Sequence, residues 1–158
     1  MRLGITGHRG LPEQSEKLVR AALQREVQRH RPDDLVGVSC IADGPDSWFA
    51  QAVLDHGGRI EVVIPASSYR EGLPAWHHAT YDELLQRAAE VHRTGLDEST
   101  SEAHMAGSEI LVGLVDELVA VWDGQPARGY GGTADVVAYA ERNGVTARVL
   151  WPEGATRD

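Results

Sequence analysis

The stretch MRLGITGHRGLP (residues 1–12) indicates a strand that runs into a loop and then into a helix. Residues 2–6 are short and partly apolar, residues 7–11 break the strand, and Pro12 suits the first turn of a helix. Apolar residues then recur at helical spacing from Leu18 to Val27, among charged and amide side chains. This order predicts a strand, a loop and a helix that lies on a sheet.

The same order repeats along the chain. Further strands are predicted at 35–39, 60–64, 91–94, 117–122 and 147–150, and further helices after Pro45, around 76–89, from about 99, and over 133–143. Alternating strands and helices predict an α/β fold that is Rossmann-like and doubly wound, with a mainly parallel sheet and helices on both faces. A length of 158 residues predicts a single nucleotide-binding domain over 1–158.

The charge balance limits the partners that we expect. The chain has 24 acidic and 15 basic side chains, and the formal net charge of −9 repels a nucleic-acid backbone, so no nucleic-acid partner is expected. Cys40 is the single cysteine, which excludes an intrachain disulfide and a Cys/His zinc motif, and we expect no metal. No apolar stretch approaches the length of a membrane span, so a cytoplasmic protein without a membrane partner is predicted.

A glycine-rich loop precedes the last predicted helix and is the strongest candidate for an anion site. Gly129, Gly131 and Gly132 let backbone N–H groups approach a ligand, and Thr133 adds a hydroxyl where the helix starts. The alternative is a loop that needs its glycines only for the turn. No Walker motif is present, and residues 129–134 fit the dinucleotide fingerprint only on the last crossover of the chain. The loop therefore predicts phosphate binding without a nicotinamide cofactor.

Other polar residues follow the predicted strands and should meet at the same edge of the sheet. Arg9 could pair with a phosphate, and His8 could bond to a base or sugar, whereas Asp46 is interpreted as a turn residue at a helix start. The candidate ligand-binding residues are Gly7, His8, Arg9, Ser39, Asp123, Gly129, Gly131, Gly132 and Thr133.

Three motifs together resemble a known superfamily. They are Gly7-His8-Arg9, Ser39-x-x-Ala42-x-Gly44-x-Asp46, and Val121-Trp122-Asp123-Gly124 leading to Gly131-Gly132-Thr133. The chain resembles small bacterial stand-alone members of the SLOG superfamily, which joins DNA-processing protein A with the "lonely guy" phosphoribohydrolases and the lysine decarboxylase-like proteins. The resemblance implies a Rossmann-like fold, a small nucleotide-derived ligand over the Gly-Gly-Thr loop, and a homodimer.

The chain departs from the hydrolases at two places. Val136 stands where their catalytic glutamate would be, and residues 104–108 lack the Arg-Lys pair of their Met-His-x-Arg-Lys stretch. No catalytic residue is therefore assigned, and we predict binding of a phosphate-bearing nucleotide or derivative, as in a sensor, with no further cofactor. The alternative is a nucleoside-monophosphate phosphoribohydrolase in which Asp123 or Glu102 replaces the missing acid. A DNA-associated module is a third reading, which the net charge disfavours.

Overall fold

The computed structural model describes residues 1–157, and these contain one six-stranded sheet in which every strand pair is parallel. The strands are β1 (Arg2–Gly7), β2 (Val36–Ser39), β3 (Arg59–Ile64), β4 (Glu90–Arg93), β5 (Glu117–Val121) and β6 (Thr146–Val149). Their order across the sheet is β4-β3-β2-β1-β5-β6. The predicted Rossmann-like α/β fold is confirmed.

Six helices connect the strands within the described residues. They are α1 (Glu13–Gln28), α2 (Pro45–His56), α3 (Tyr69–Gly72), α4 (His78–Gln86), α5 (Ser101–Gly113) and α6 (Thr133–Arg142). The predicted helix around 76–89 starts with a 3₁₀ turn, Ala75–His77, and the single turn of α3 is too short to leave a periodic signal. In residues 1–157 no helix is both long and apolar enough to cross a membrane.

Two strand glycines show that helices cover both faces of the sheet. Leu3 pairs in register with Gly37, so Gly4 and Gly37 point to opposite faces. A Cβ on Gly4 would lie 2.8 Å from Leu111 of α5, and one on Gly37 would lie 2.8 Å from Val53 of α2. Helices α2 and α5 therefore lie on opposite faces and approach the strands too closely for a side chain at these positions.

The strand order creates a crevice beside β1. From β1 the chain adds β2, β3 and β4 to one side, and then places β5 and β6 on the other side. Loops from β1 and β5 consequently leave the sheet toward opposite faces, and in folds of this type ligands bind at such a point, outside the carboxyl ends of the strands.

Candidate functional site

A cleft of about 280 Å³ lies at the carboxyl ends of the central strands. Its wall combines the loops after β1, β2 and β3 with one side of α5 and the start of α6. The polar and charged side chains in the wall are Thr6, His8, Arg9, Asp46, Tyr69, His104, Ser108, Thr133 and Arg157. Asp46 is the only carboxyl group among the described residues of this wall.

His8 and Asp123 pair at the ends of β1 and β5, where His8 is buried and Asp123 is partly buried. The His8 Nε2 atom lies 3.1 Å from Asp123 Oδ1 and 3.2 Å from the Asp123 amide, and the His8 ring meets Trp151 edge to face. Burial lowers the pKa of His8, against the hydrogen bond to Asp123, which raises it. His8 is therefore neutral at pH 7 and is held in place as a hydrogen-bonding group.

Arg9 follows β1 and is partly neutralised by Asp43. Both Nε and Nη2 of Arg9 approach Asp43 Oδ1, at 2.9 Å and 2.6 Å. Asp43 is buried, whereas 45% of the Arg9 side chain is exposed. The ion pair therefore fixes one edge of the guanidinium group and leaves the terminal Nη1 and Nη2 edge for a ligand oxygen.

The glycine loop uses two of its amides internally. Gly131, at φ +84°, donates its N–H to Asp135 Oδ2 at 2.9 Å, and the Gly132 amide donates to the Gly129 carbonyl at 3.3 Å. These two amides are consequently satisfied without a ligand, unlike in the sequence-based prediction. The glycines let the loop approach α5 closely, since a Cβ on Gly131 would lie 3.0 Å from the Ser101 carbonyl oxygen.

The start of α6 offers the unpaired donors that the loop does not. The amides of Asp135 and Val136 both bond to the Gly132 carbonyl. The preceding amides, of Thr133 and Ala134, have no acceptor inside the helix because they lie in its first turn. Thr133 also lines the cleft, so this helix end faces the site with its partial positive charge.

Arg157 is a cleft residue that the sequence analysis missed. The segment after β6 is tied to α1 by Ser15, whose hydroxyl donates to the Thr156 carbonyl at 2.7 Å and accepts from the Thr156 amide at 2.8 Å. The next residue, Arg157, then lines the cleft, and its charge contributes to lowering the pKa of His8. No sequence motif indicates that Arg157 reaches the cleft, because its position depends on the contact between Thr156 and Ser15, which are 141 residues apart in sequence.

The loop after β2 holds a strained backbone beneath the cleft. Ile41 has φ +47°, which is unusual for a β-branched residue, and Gly44 has φ +96°. The Ile41 amide bonds to Ser39 Oγ, and its carbonyl lies 3.0 Å from His77 Nε2, which also contacts Ser47 Oγ. These buried hydrogen bonds hold the loop in a conformation that an isolated chain would avoid.

Asp46 ends this loop and faces the cleft. Its Oδ2 atom accepts one long hydrogen bond, from the Ala42 amide at 3.4 Å, and among residues 1–157 no other donor bonds to its carboxyl group. Burial raises the pKa of Asp46 to about 7, against the lowering effects of the Ala42 bond and the Arg9 charge. Asp46 therefore lines the cleft in addition to the turn role that its sequence position predicts.

Val136 and residues 104–108, where the sequence departs from the hydrolases, both contribute to the cleft wall. Val136 is buried and lines the cleft, so an apolar side chain occupies the place implied for a catalytic acid. In α5, His104 and Ser108 line the cleft, while Gly107 packs on Pro65. His104 Nε2 bonds to Ser99 Oγ at 2.8 Å, and burial lowers the pKa of His104. The cleft thus has a neutral surface on this side.

Six of the nine predicted ligand-binding residues line the cleft, namely Gly7, His8, Arg9, Gly131, Gly132 and Thr133. Ser39 is fully buried and uses its hydroxyl on the Asp46 carbonyl and the Ile41 amide, so its predicted contact with a ligand is wrong. Asp123 reaches the site only through His8, and Gly129 only through its carbonyl bond to Gly132. The acids proposed to replace the glutamate, Asp123 and Glu102, both lie outside the wall.

One group of possible metal ligands lies away from the cleft. Ligand atoms of Glu61, Glu90 and His92 lie within 4.8 Å of one another among the described residues. The Glu61 carboxylate is already paired with both terminal nitrogens of Arg2, at 2.8 and 3.0 Å, and with His92 at 2.9 Å. This arrangement fits an ion-pair network between strands better than a cation site.

Several solved structures share the fold of this chain. No family model and no curated protein matches the chain. DNA processing protein A from Streptococcus pneumoniae matches with a TM-score of 0.68 at 19% identity, over 97% of this chain but 51% of that one. The same protein from Helicobacter pylori matches at 0.69 and 15%, over 99% of this chain and 68% of that one. The molybdenum cofactor binding protein from Rippkaea orientalis matches at 0.62 and 17%, over 96% and 77%.

These neighbours correct the prediction that excluded nucleic acid. The Helicobacter pylori protein has a single-stranded DNA binding mode, and it shares this fold along nearly the whole of the present chain. The exclusion was wrong because it used the net charge of the molecule, whereas phosphate groups are bound by local donors and cations.

The fold of these structures also agrees with the fold that the sequence motifs implied. The motifs in the loops after β1, β2 and β5 implied a Rossmann-like fold. The DNA processing protein and the molybdenum cofactor binding protein share the fold of this chain. The resemblance indicated by the sequence is confirmed at the level of the fold, which is Rossmann-like α/β in this chain.

Proposed function

We propose that the cleft binds a phosphate-bearing nucleotide or nucleotide-derived small molecule and acts as a binding or sensing site. The observation that carries this proposal is the convergence of Arg9, Arg157 and the first turn of α6 on one cleft at the carboxyl ends of the strands. Each offers N–H donors to an anion, and the three come from different parts of the chain.

The electrostatics of the wall favour a monophosphate or a similarly compact anion. The charge of Arg9 is balanced by Asp43, whereas Arg157 has no ion pair within residues 1–157. His8 and His104 are neutral at pH 7 because burial lowers the pKa of each. One uncompensated cation and a helix start are thus available to the ligand.

The size of the cleft supports the same ligand class. Its volume of about 280 Å³ lies close to the lower end of the roughly 300–1,000 Å³ range of small-molecule sites. A mononucleotide therefore suits it better than a dinucleotide.

Binding without turnover follows from the side chain at position 136. Val136 supplies no carboxylate where the resemblance implies the catalytic glutamate, and no other acid of the described chain reaches that side of the wall. We therefore expect a nucleoside monophosphate to bind without release of its base.

Single-stranded DNA is the second candidate ligand. Tyr130 lies in the glycine loop beside the cleft with 60% of its surface exposed, which suits stacking on a base, and a protein of the same fold binds single-stranded DNA. The net charge of −9 makes any such binding weak outside the cleft.

A thermal-shift screen tests the proposal. The panel contains inorganic phosphate, nucleoside mono-, di- and triphosphates, ADP-ribose and a short single-stranded oligonucleotide, and each mixture is analysed by chromatography for free base. A ligand at a hundred times its Kd stabilises the fold by about 2.7 kcal/mol, or roughly 5 to 10 °C. A shift with mononucleotides and no free base is expected. A shift with the oligonucleotide alone, or no shift at all, would contradict the small-molecule proposal.

Arg157→Gln tests the site. Loss of one charged hydrogen bond at a partly exposed position should weaken binding of the responding nucleotide by about tenfold in calorimetry. Arg142→Gln is the matched control, because Arg142 lies at the end of α6 and only stacks over Tyr139. Equal loss in both variants would point to charge in general, and no loss in Arg157→Gln would remove this residue from the site.

A further inference from the structure

Asp46 has hydrogen-bonding capacity that the protein does not use. Its Oδ2 atom has the single 3.4 Å bond from Ala42, and its Oδ1 atom has no donor within residues 1–157. The Asp46 side chain lines the cleft, where a bound molecule would meet it. Asp46 is partly buried, and the acceptor capacity that the protein leaves unused at the cleft wall is available to a donor on a bound molecule.

The position of Asp46 is set by several independent restraints. The Asp46 carbonyl accepts from Ser39 Oγ at 2.9 Å, and Pro45 and Gly44 fix the start of α2. The neighbouring Ile41 is kept at φ +47° by the bonds to Ser39 and His77. A strained loop that is held this firmly keeps the carboxyl group in one place before any ligand arrives.

We propose that Asp46 selects the sugar part of the ligand by accepting hydrogen bonds from its hydroxyl groups. This inference rests on the proposed function and adds the substrate class, which is a phosphorylated sugar or nucleotide with a free vicinal diol. An ionised carboxyl group only accepts hydrogen bonds, so its partner must donate. A ribose diol offers two donors to the two oxygens, while the phosphate at the other end of the ligand meets Arg9, Arg157 and α6.

The surroundings of Asp46 agree with an acceptor that is completed by a ligand. Arg9 and Asp43 act on it from the loops after β1 and β2, and Cys40, just after β2, and Tyr69, on α3, lie close to it. Burial is the main reason that its pKa rises to about 7. Donors from a sugar would favour the charged form, and the pKa of Asp46 should fall when the ligand binds.

The test compares two probes on two variants. Binding of ribose 5-phosphate and of inorganic phosphate is measured by calorimetry at pH 8 for the wild type, for Asp46→Asn, and for Asp55→Asn. Asp55 is an exposed residue of the same helix that bonds only to Gln51, and it serves as the matched control. Chemical denaturation of each variant checks that it is folded.

The wild type and Asp55→Asn should bind ribose 5-phosphate about tenfold more tightly than phosphate. In Asp46→Asn this ratio should fall to within about twofold of unity, while phosphate itself binds as well as before or better, because a nearby negative charge is removed. A 2-deoxyribose 5-phosphate probe should show the smaller ratio already in the wild type.

Two results would overturn the inference, and they are distinguishable. If Asp46→Asn keeps the full preference for ribose 5-phosphate, the assignment of Asp46 fails while the phosphate site stands. If the wild type binds neither probe, the proposed function fails and the assignment fails with it.

Discussion

Burial in the cleft wall changes what the carboxyl group of Asp46 does near neutral pH. In the unfolded chain an aspartate ionises near its ordinary value of 3.8, whereas folded Asp46 keeps its proton up to about 7. Between these values the folded state binds the extra proton, so stability from this group is present at low pH and is lost as the pH rises through about 7. Keeping this acid in the site therefore lowers the stability of the folded protein at alkaline pH.

Asp46→Asn should consequently stabilise the unliganded protein at pH 8 and have little effect at pH 4. The change in pKa from 3.8 to about 7 corresponds to an upper bound of about 4 kcal/mol, and asparagine retains an oxygen for the Ala42 amide. Urea denaturation at the two pH values measures the difference. Equal effects at pH 4 and pH 8 would show that the ionisation of Asp46 is not responsible.

At the scale of the elements, the glycine loop and α6 act together. The Asp135 carboxylate at the start of α6 accepts from Gly131, and Gly131 in turn lies against the Ser101 carbonyl of α5. The loop is thereby fixed between two helices, and the first turn of α6 faces the cleft. The glycines therefore have a structural role, which was the alternative interpretation of the loop. The anion site is formed instead by the first turn of α6, which the loop positions.

Gly131→Ala should destabilise the fold, because the backbone has φ +84° there and the added methyl group would lie 3.0 Å from Ser101 O. A loss of about 1–3 kcal/mol in free energy of unfolding is expected from urea denaturation. Gly129→Ala is the control, since a Cβ there has open space around it, and it should change stability by less than about 0.5 kcal/mol. A similar loss in both variants would contradict this account.

At the scale of the whole molecule, the sheet is joined away from the cleft by an ion-pair network. Glu61 on β3 links Arg2 on β1 with His92 on β4, and the Arg2 side chain also donates to the Leu114 carbonyl before β5. The hydrogen bond from Arg2 is the main reason that the pKa of Glu61 falls below its ordinary 4.5. Stability from Glu61 is therefore present above about pH 4.5 and is lost as the pH falls through the lower folded-state pKa.

Glu61→Gln should lower the free energy of unfolding at pH 7 by about 1–3 kcal/mol, because a partly buried charge-assisted pair is broken. The loss should shrink as the pH falls through the lowered folded-state pKa of Glu61, where the wild-type carboxylate becomes protonated. Nucleotide affinity should stay the same, since none of these side chains lines the cleft. A change in affinity that matches the loss of stability would show that the two ends of the sheet are coupled.

The sequence determined the order of the elements and the loops that reach the site. Period-two and period-3.6 apolar patterns, with glycine and proline at the breaks, are local properties. They predicted all six strands, the loop that contains Arg9 and the loop that leads to Thr133. The α/β class follows from the alternation alone, because parallel strands need helical crossovers between them.

Tertiary structure decided which side chains of those loops face the ligand. Ser39 turns inward and Asp46 turns to the cleft because bonds to Ile41 and His77 hold the loop in a strained form. Arg157 is positioned at the cleft by the hydrogen bonds between Ser15 and the neighbouring Thr156, which are far apart in sequence. Local sequence encodes backbone preference within a few residues, whereas side-chain direction and the protonation of Asp46 depend on burial and on contacts between distant segments.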